Sequence, residues 1–288
     1  MNKKVLVVLG PTASGKSSVA LKIAKEFDGE IISADSLTIH KNMDIGTAKP
    51  TKAEQKKTKH WAIDIIGPKR RFTVAQFQKY AKDKIEQIQS RGHLPIVVGG
   101  TGLYIDSLVF DFSFLGRADP KLRKKLEVLS VEELQQIIQK KGYKMPFNKN
   151  NKRHLIGLIE RQGQIGTRNK KPPEGIIFVG LMPTSDDHKI RIQQRVEEMF
   201  KNGLVGETKR LIKIYGRRSL KAKAAVAYGP VIDYLQGSLT LDEAKANLRT
   251  LHWQYARRQK AWFKRNPYIQ WFSSVDDAYS YISDVLNN

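Results

Sequence analysis

The run Gly10-Pro-Thr-Ala-Ser-Gly-Lys-Ser17 follows directly on the apolar stretch Val5–Leu9 and constrains this chain more than any other feature. It fits G-x-x-x-x-G-K-[ST], a glycine-rich loop between a buried strand and the helix it opens. Glycines let backbone N–H groups converge on phosphate oxygens, the helix N-terminus adds partial positive charge, Lys16 adds a full one, and Ser17 suits Mg²⁺. The chain is therefore expected to bind a polyphosphate through Gly10, Thr12, Ala13, Ser14, Gly15, Lys16 and Ser17. Nucleotide-binding and ATP-binding kinases, GTPases, motors and some transferases share such a loop, so the loop alone does not decide the reaction.

Four β-rich runs, Val5–Leu9, Glu30–Ser33, Leu94–Val98 and Ile176–Leu181, alternate with helical patterns such as Ser17–Phe27 and Val74–Arg91; Tyr268–Phe272 is a weaker fifth. The alternation predicts an α/β fold, a P-loop NTPase-like parallel sheet core with helical insertions. The loops 10–17, 34–50 and 99–104 then fall at the C-terminal strand ends, where open sheets bind ligands. Residues 1–112 read as the core, with 151–182 and 266–288 returning to it. Residues 113–150 read as a helical insertion (Pro120–Leu129 and Val131–Lys141). Residues 183–265 read as a helical lobe, with turns at Asn202-Gly203, Tyr215-Gly216, Tyr228-Gly-Pro230 and Gly237-Ser238.

Charge separates these parts. Of a formal net charge of +23, residues 120–171 carry 14 Lys/Arg against 4 Asp/Glu, and residues 183–265 carry 18 against 8. Either these are solvated helical faces, or the partner is a polyanion much larger than a nucleotide, such as nucleic acid. The absence of cysteine excludes disulfides and thiolate zinc sites. Met1–Leu9 is too short for a leader and runs into the phosphate loop, and no segment reaches a membrane span. A cytoplasmic protein is expected.

Asp35 ends the second strand and faces the same opening as the phosphate loop. It suits a Mg²⁺ ligand or a general base, or equally a cap or turn residue. Gly99-Gly-Thr-Gly-Leu-Tyr104 is a second glycine-rich loop that would supply further N–H groups to the same anion. Arg191 and Arg195 share one face of a predicted helix, either as a phosphate clamp or as a solvated basic face. His252–Arg265 interleaves aromatics with bases, which suits RNA or an amphipathic helix with core aromatics. The six histidines lack metal-ligand spacing.

These segments resemble the bacterial tRNA dimethylallyltransferase (tRNA isopentenylpyrophosphate transferase) family. The resemblance rests on Gly10–Ser17, Ser33-Ala-Asp-Ser36, Met43-Asp-Ile-Gly-Thr-Ala-Lys-Pro50, His60…Asp64-Ile65, Val97-Val-Gly-Gly-Thr-Gly-Leu-Tyr104, Ala118-Asp-Pro, Asn151-Lys-Arg153…Glu160, Gln254-Tyr-Ala-Arg-Arg-Gln259 and Trp262-Phe263. It implies transfer of a dimethylallyl group from its diphosphate to the exocyclic amine of adenosine 37 in tRNAs reading U-starting codons, by a monomer with Mg²⁺. It also implies roles for residues: Asp35, Thr101 and Lys16 in catalysis; Arg191 with the phosphate loop on diphosphate; Ser17 on the metal. Asp35, Ser36, Leu37, Thr38, Thr101, Arg123, Arg153 and Arg257 would meet the anticodon stem-loop. The sequence departs from the family's pattern at Thr38-Ile-His40, at Gly157 and at Ala224–Pro230, which keeps open an altered RNA preference. Prenylation of free adenine nucleotides, a small-molecule kinase and a catalytically silent RNA binder are the alternatives.

Overall fold

The structure is a computed structural model that describes residues 4–67, 70–115, 119–164 and 166–288. Ala118 of the matching stretch lies outside the described residues, as do Met1–Lys3 and the side chain of Ala225. The chain divides into two compact units, residues 1–109 with 172–288, and residues 110–171.

The first unit is built on a parallel sheet of β1 (Val5–Leu9), β2 (Gly29–Ser33), β3 (His60–Trp61), β4 (Leu94–Gly99), β5 (Ile176–Leu181) and β6 (Gln270–Phe272), in the order β3-β2-β4-β1-β5-β6. β1, all five residues buried, pairs with β4 and β5 in register Val8↔Val98 and Val8↔Val179. A strand covered on both faces reads as an uninterrupted apolar run, which is why β1 was legible. β3 was not expected: two residues opposite Ile31 and Ile32 carry no periodicity.

Helices α1 (Lys16–Glu26), α2 (Lys52–Lys57), α3 (Val74–Ser90) and α4 (Gly102–Val109) belong to the core half of this unit. Capping boxes start α2 and α3, with Thr51 and Glu54 on one and Thr73 and Gln76 on the other. Helix α1 starts differently, from Gly15 at φ 94° with no side-chain cap; the Ser18 amide turns back to the Gly15 carbonyl (3.0 Å), and the Lys16 and Ser17 amides ahead of it have no side-chain cap to compete with a ligand.

Helices α8 (Ser185–Lys201), α9 (Leu204–Tyr215), α10 (Arg217–Leu235) and α11 (Leu241–Phe263) follow β5, and α12 (Val275–Asn287) closes the chain against α1. The sequence reading set residues 183–265 apart as a lobe. They have their own apolar cluster, which includes Val196, Leu211, Leu220, Tyr228 and Leu248, yet they lie in the same compact unit as the sheet. Met43, from the loop after β2, is part of that cluster. Three of the four expected turns fall between helices, but Tyr228-Gly-Pro230 does not. The chain stays helical there and breaks instead at Ala224 (φ −142°, ψ 46°). Pro230 is the sixth residue after the break, beyond the first turn, so the second segment forgoes the amide bond that a non-proline residue would donate to the Val226 carbonyl.

The second unit holds α5 (Pro120–Glu127), α6 (Val131–Lys140) and α7 (Lys152–Glu160) around Leu126, Leu134, Ile138, Leu155, Ile156 and Ile159. Helix α7 thus packs with α5 and α6, where the sequence reading had returned residues 151–182 to the core.

Candidate active site

The phosphate loop turns through positive φ at Gly10 (154°), Ala13 (60°) and Gly15 (94°). A Cβ on Gly10 would lie 2.5 Å from the Leu181 carbonyl oxygen, so this position requires glycine for space as well as conformation. The loop is braced by side chains far away in sequence. Gln259 accepts from the Thr12 amide (2.8 Å) and donates to the Gly100 carbonyl (2.9 Å). His188 Nε2 meets the Thr12 carbonyl at 2.8 Å, and Arg191 donates to the Ser14 carbonyl at 3.2 Å. Burial holds His188 below its ordinary pKa, which fits a neutral imidazole donating that bond. Inside the loop the Ser14 hydroxyl is buried without a hydrogen-bond partner among the described residues.

The loop opens on a cavity of about 740 Å³ lined by Lys16, Ser17, Asp35, Thr38, residues 44–45 and 47–52, and Arg195. A smaller one, about 350 Å³, is bounded by Thr12, Lys16, Asp35–Leu37, Gly46, Thr47, Arg195, Ala224, Val226, Ala227, His252, Tyr255 and Gln259. Lys16, Asp35 and Arg195 border both. Lys16 donates to the Pro11 carbonyl (3.0 Å), and its pKa is pushed down to about 8, first by burial and then by the charge of Arg195, with Asp35 opposing. Arg195 is itself lowered by burial, and its Nε has no hydrogen-bond partner among the described residues. Two cations that disfavour each other beside one carboxylate make a seat for an anion.

Asp35 accepts from the Leu37 amide through Oδ1 (2.8 Å), leaving acceptor capacity on the carboxylate. Its charge helps to raise Tyr255 and Tyr104 to about 12, after burial as the larger cause. Thr101 Oγ1 accepts from the Ser36 amide at 3.1 Å, tying the two strand-end loops together. Thr38 is buried, its hydroxyl 3.0 Å from that of Ser33.

The second glycine-rich loop serves packing more than anion capture. A Cβ on Gly99 would meet the Ala34 carbonyl oxygen at 2.2 Å, one on Gly100 would meet Gln259 at 2.1 Å, and one on Gly102 would meet Trp262 at 2.2 Å. The Thr101 amide already donates to Ala34.

The structure therefore brings together the phosphate loop, Asp35–Thr38, Thr101 and Arg191. Arg257 stands exposed on α11 and is not among the residues that line the cavities, although Tyr255 and Gln259 on the same helix line the smaller one. In the second unit Arg153 is exposed, while Arg123 is committed to Glu127 (3.1 Å) and to the buried Glu160 (3.1 Å). The sequence reading offers Arg195 with Arg191 as a phosphate clamp or a solvated basic face but carries only Arg191 into the site, and it misses His188 as a brace. For Arg195 the signal was its spacing from Arg191; for His188 there was none.

A glycine-rich loop closing β1 of a six-stranded parallel sheet, with two cations and a carboxylate beside it, gives this α/β protein the geometry of an anion site. Comparison with known proteins carries this further. Residues 38–266 match the model of the IPP transferase family, and the chain belongs to that family of transferases. The tRNA dimethylallyltransferase of Carboxydothermus hydrogenoformans is 37% identical, over 99% of this chain and 97% of its own length. The solved tRNA isopentenylpyrophosphate transferase of Bacillus halodurans superposes with a TM-score of 0.74 at 33% identity, over 99% of this chain and 97% of the other. A eukaryotic dimethylallyltransferase solved acting on tRNA shares the fold, with a TM-score of 0.82 at 21% identity, over 99% of this chain and 80% of that one. None of the described helices is long and apolar enough to cross a membrane.

Proposed function

We propose that this protein transfers a dimethylallyl group from dimethylallyl diphosphate to the exocyclic amine of adenosine 37 in the anticodon stem-loop of tRNA. The observation that carries the reading is the shared cavity wall of Lys16, Arg195 and Asp35: cations for a leaving diphosphate, and a carboxylate for the proton of an attacking amine.

The allylic C–O bond breaks as the C–N bond forms, the electron pair leaving with diphosphate. Lys16, Arg195 and the open amides of α1 stabilise charge that grows on that leaving group, which is where fixed donors accelerate most. An adenine amine is a weak nucleophile because its lone pair is delocalised. Asp35 accepts its proton as the bond forms, a contribution of roughly 10²–10⁴ in rate. Thr101 fixes the Asp35–Ser36 turn through the Ser36 amide. Arg191 acts on the diphosphate through the loop, by holding the Ser14 carbonyl.

Mg²⁺ fits the donor set: Ser17 and Asp35 are hard oxygen donors on one cavity, and they would hold the ion together with diphosphate oxygens. When bound it supplies further neutralisation of the leaving group. For RNA, the exposed Arg153 and Arg257 and the basic helices offer phosphate contacts, and the target base leaves its stack to reach a recessed carboxylate. Arg123 spends Nε and Nη1 on its ion pairs and keeps Nη2 for an RNA phosphate.

The test is mass spectrometry of an unmodified anticodon stem-loop incubated with the protein, Mg²⁺ and dimethylallyl diphosphate. One prenyl unit gained at adenosine 37, and lost in Asp35→Ala with RNA still bound, is the expected result. Bound RNA without any gain would overturn the proposal.

A further inference from the structure

The loop Met43–Pro50 walls both cavities, yet none of the chemistry above is assigned to it. Its conformation is set from outside. The amides of Asp44 and Ile45 donate to Glu207 Oε2 at 3.0 and 2.9 Å, and the Gly46 amide donates to Oε1 at 3.0 Å. The same Oε1 accepts from the Tyr228 hydroxyl at 2.8 Å. Three successive amides converging on one point form an anion-binding nest, and here a carboxylate of the chain itself occupies it.

Glu207 is only 2% exposed and Tyr228 is fully buried. Burial and the Glu207 charge raise the Tyr228 pKa, so the phenol remains a donor. Gly46 is required by this packing, because a Cβ there would lie 2.5 Å from the Tyr228 ring. At the loop's far end the buried Lys49 ammonium donates to Asp44 Oδ1 and Asp64 Oδ1, both at 2.6 Å, and to the His40 carbonyl at 2.9 Å. The segment is therefore clamped twice. The Glu207 clamp reaches it from helices α9 and α10, across 161 to 163 residues of sequence.

A carboxylate with four donors on it, buried and outside the cavity lining, neither binds substrate nor moves a proton. We infer that Glu207 is a positioning residue for prenyl transfer: it fixes Asp44–Gly46, so that Gly46 and Thr47 stand where the cavity containing Lys16 and Asp35 needs a wall. This rests on the reaction proposed above. Because the phosphate loop is braced separately, by Gln259, His188 and Arg191, loss of the Glu207 clamp should disturb the placing of the reacting groups while leaving the diphosphate seat intact.

The experiment compares Glu207→Gln with wild type in three measurements: turnover on a tRNA stem-loop, dissociation constant for dimethylallyl diphosphate without RNA, and amide hydrogen exchange. Gln keeps the shape but turns one acceptor into a donor facing an amide. The expected result is faster exchange at residues 44–46 with the sheet still protected, kcat reduced about 100-fold, and the diphosphate constant within about twofold, the size expected when reacting groups are displaced by about 1 Å. Freed amides with kcat within about threefold of wild type would overturn the inference. So would diphosphate affinity falling in step with kcat. Should Glu207→Gln not fold, Tyr228→Phe removes one of the four donors and is read the same way, with a smaller loss of kcat at constant diphosphate affinity. An inactive wild type would refute the proposed reaction and with it this role, while exchange at 44–46 in the variant would still report whether the clamp exists.

Discussion

Diphosphate affinity should depend on pH through Lys16. In the ligand-free site this ammonium titrates at about 8, because burial and the neighbouring Arg195 both disfavour its charge. A bound diphosphate supplies the missing negative charge and returns the pKa towards its ordinary value near 10.4. The charged form is the one that binds, so affinity is full below pH 8 and falls as pH rises through 8, until the bound-state pKa is reached. Between pH 7 and pH 9 the neutral fraction of free Lys16 grows from about one tenth to about nine tenths, which weakens binding about tenfold.

Neighbouring groups do not mask this effect. Tyr104 and Tyr255 are pushed to about 12, His252 is driven down to about 3, and His188 stays below its ordinary value. The terminal phosphate, with a second pKa near 6, is already ionised across this range. Calorimetric titration of dimethylallyl diphosphate into RNA-free protein from pH 6.5 to 9.5 (a range of about three units around the Lys16 midpoint) reads it directly. Lys16→Arg, charged throughout, should flatten the profile. A flat profile in wild type, or an unchanged fall in Lys16→Arg, would refute the assignment.

Removing the second cation tests the same electrostatics from the other side. Arg195→Gln should weaken diphosphate binding and move the pH midpoint upward, since Arg195 contributes to lowering Lys16; a midpoint still near 8 would show that burial alone sets it. Lys49→Met leaves Asp44 and Asp64 without their shared cation. It should cost about 3 kcal/mol in urea unfolding, the lower end for a broken buried pair because Asp44 is half exposed, and a loss below about 1 kcal/mol would contradict the clamp. Binding of a tRNA stem-loop should weaken by about 10³–10⁵ between roughly 50 and 200 mM salt if about 6–10 phosphates are contacted; a nearly salt-independent constant would remove the basic helices from the interface.

The phosphate loop, the strands on either side of it and the alternation that makes the sheet parallel were all determined by sequence alone. Each is local: a strand buried on both faces is a continuous apolar run, and a loop that must pass through φ 154° and 94° declares itself by glycine at 10 and 15. Asp35 was legible for the same reason, since the end of a strand fixes which way the chain faces. The resemblance added the run Asp44–Pro50, but not the reason for it. That reason lies in Glu207, Tyr228 and Asp64, which no spacing rule connects to the loop.

The tertiary structure also decided what the second glycine-rich loop is for. Its glycines make room for Ala34, Gln259 and Trp262, and the last two come from α11, more than 150 residues away. Likewise the helix break falls at Ala224 and not at the Gly-Pro pair, a position that no local residue preference marks. A periodic pattern reports the backbone a segment prefers. Which distant side chain satisfies its amides depends on where the whole chain carries that side chain, and only the folded chain brings Glu207 to Asp44–Gly46, or Arg195 to Lys16.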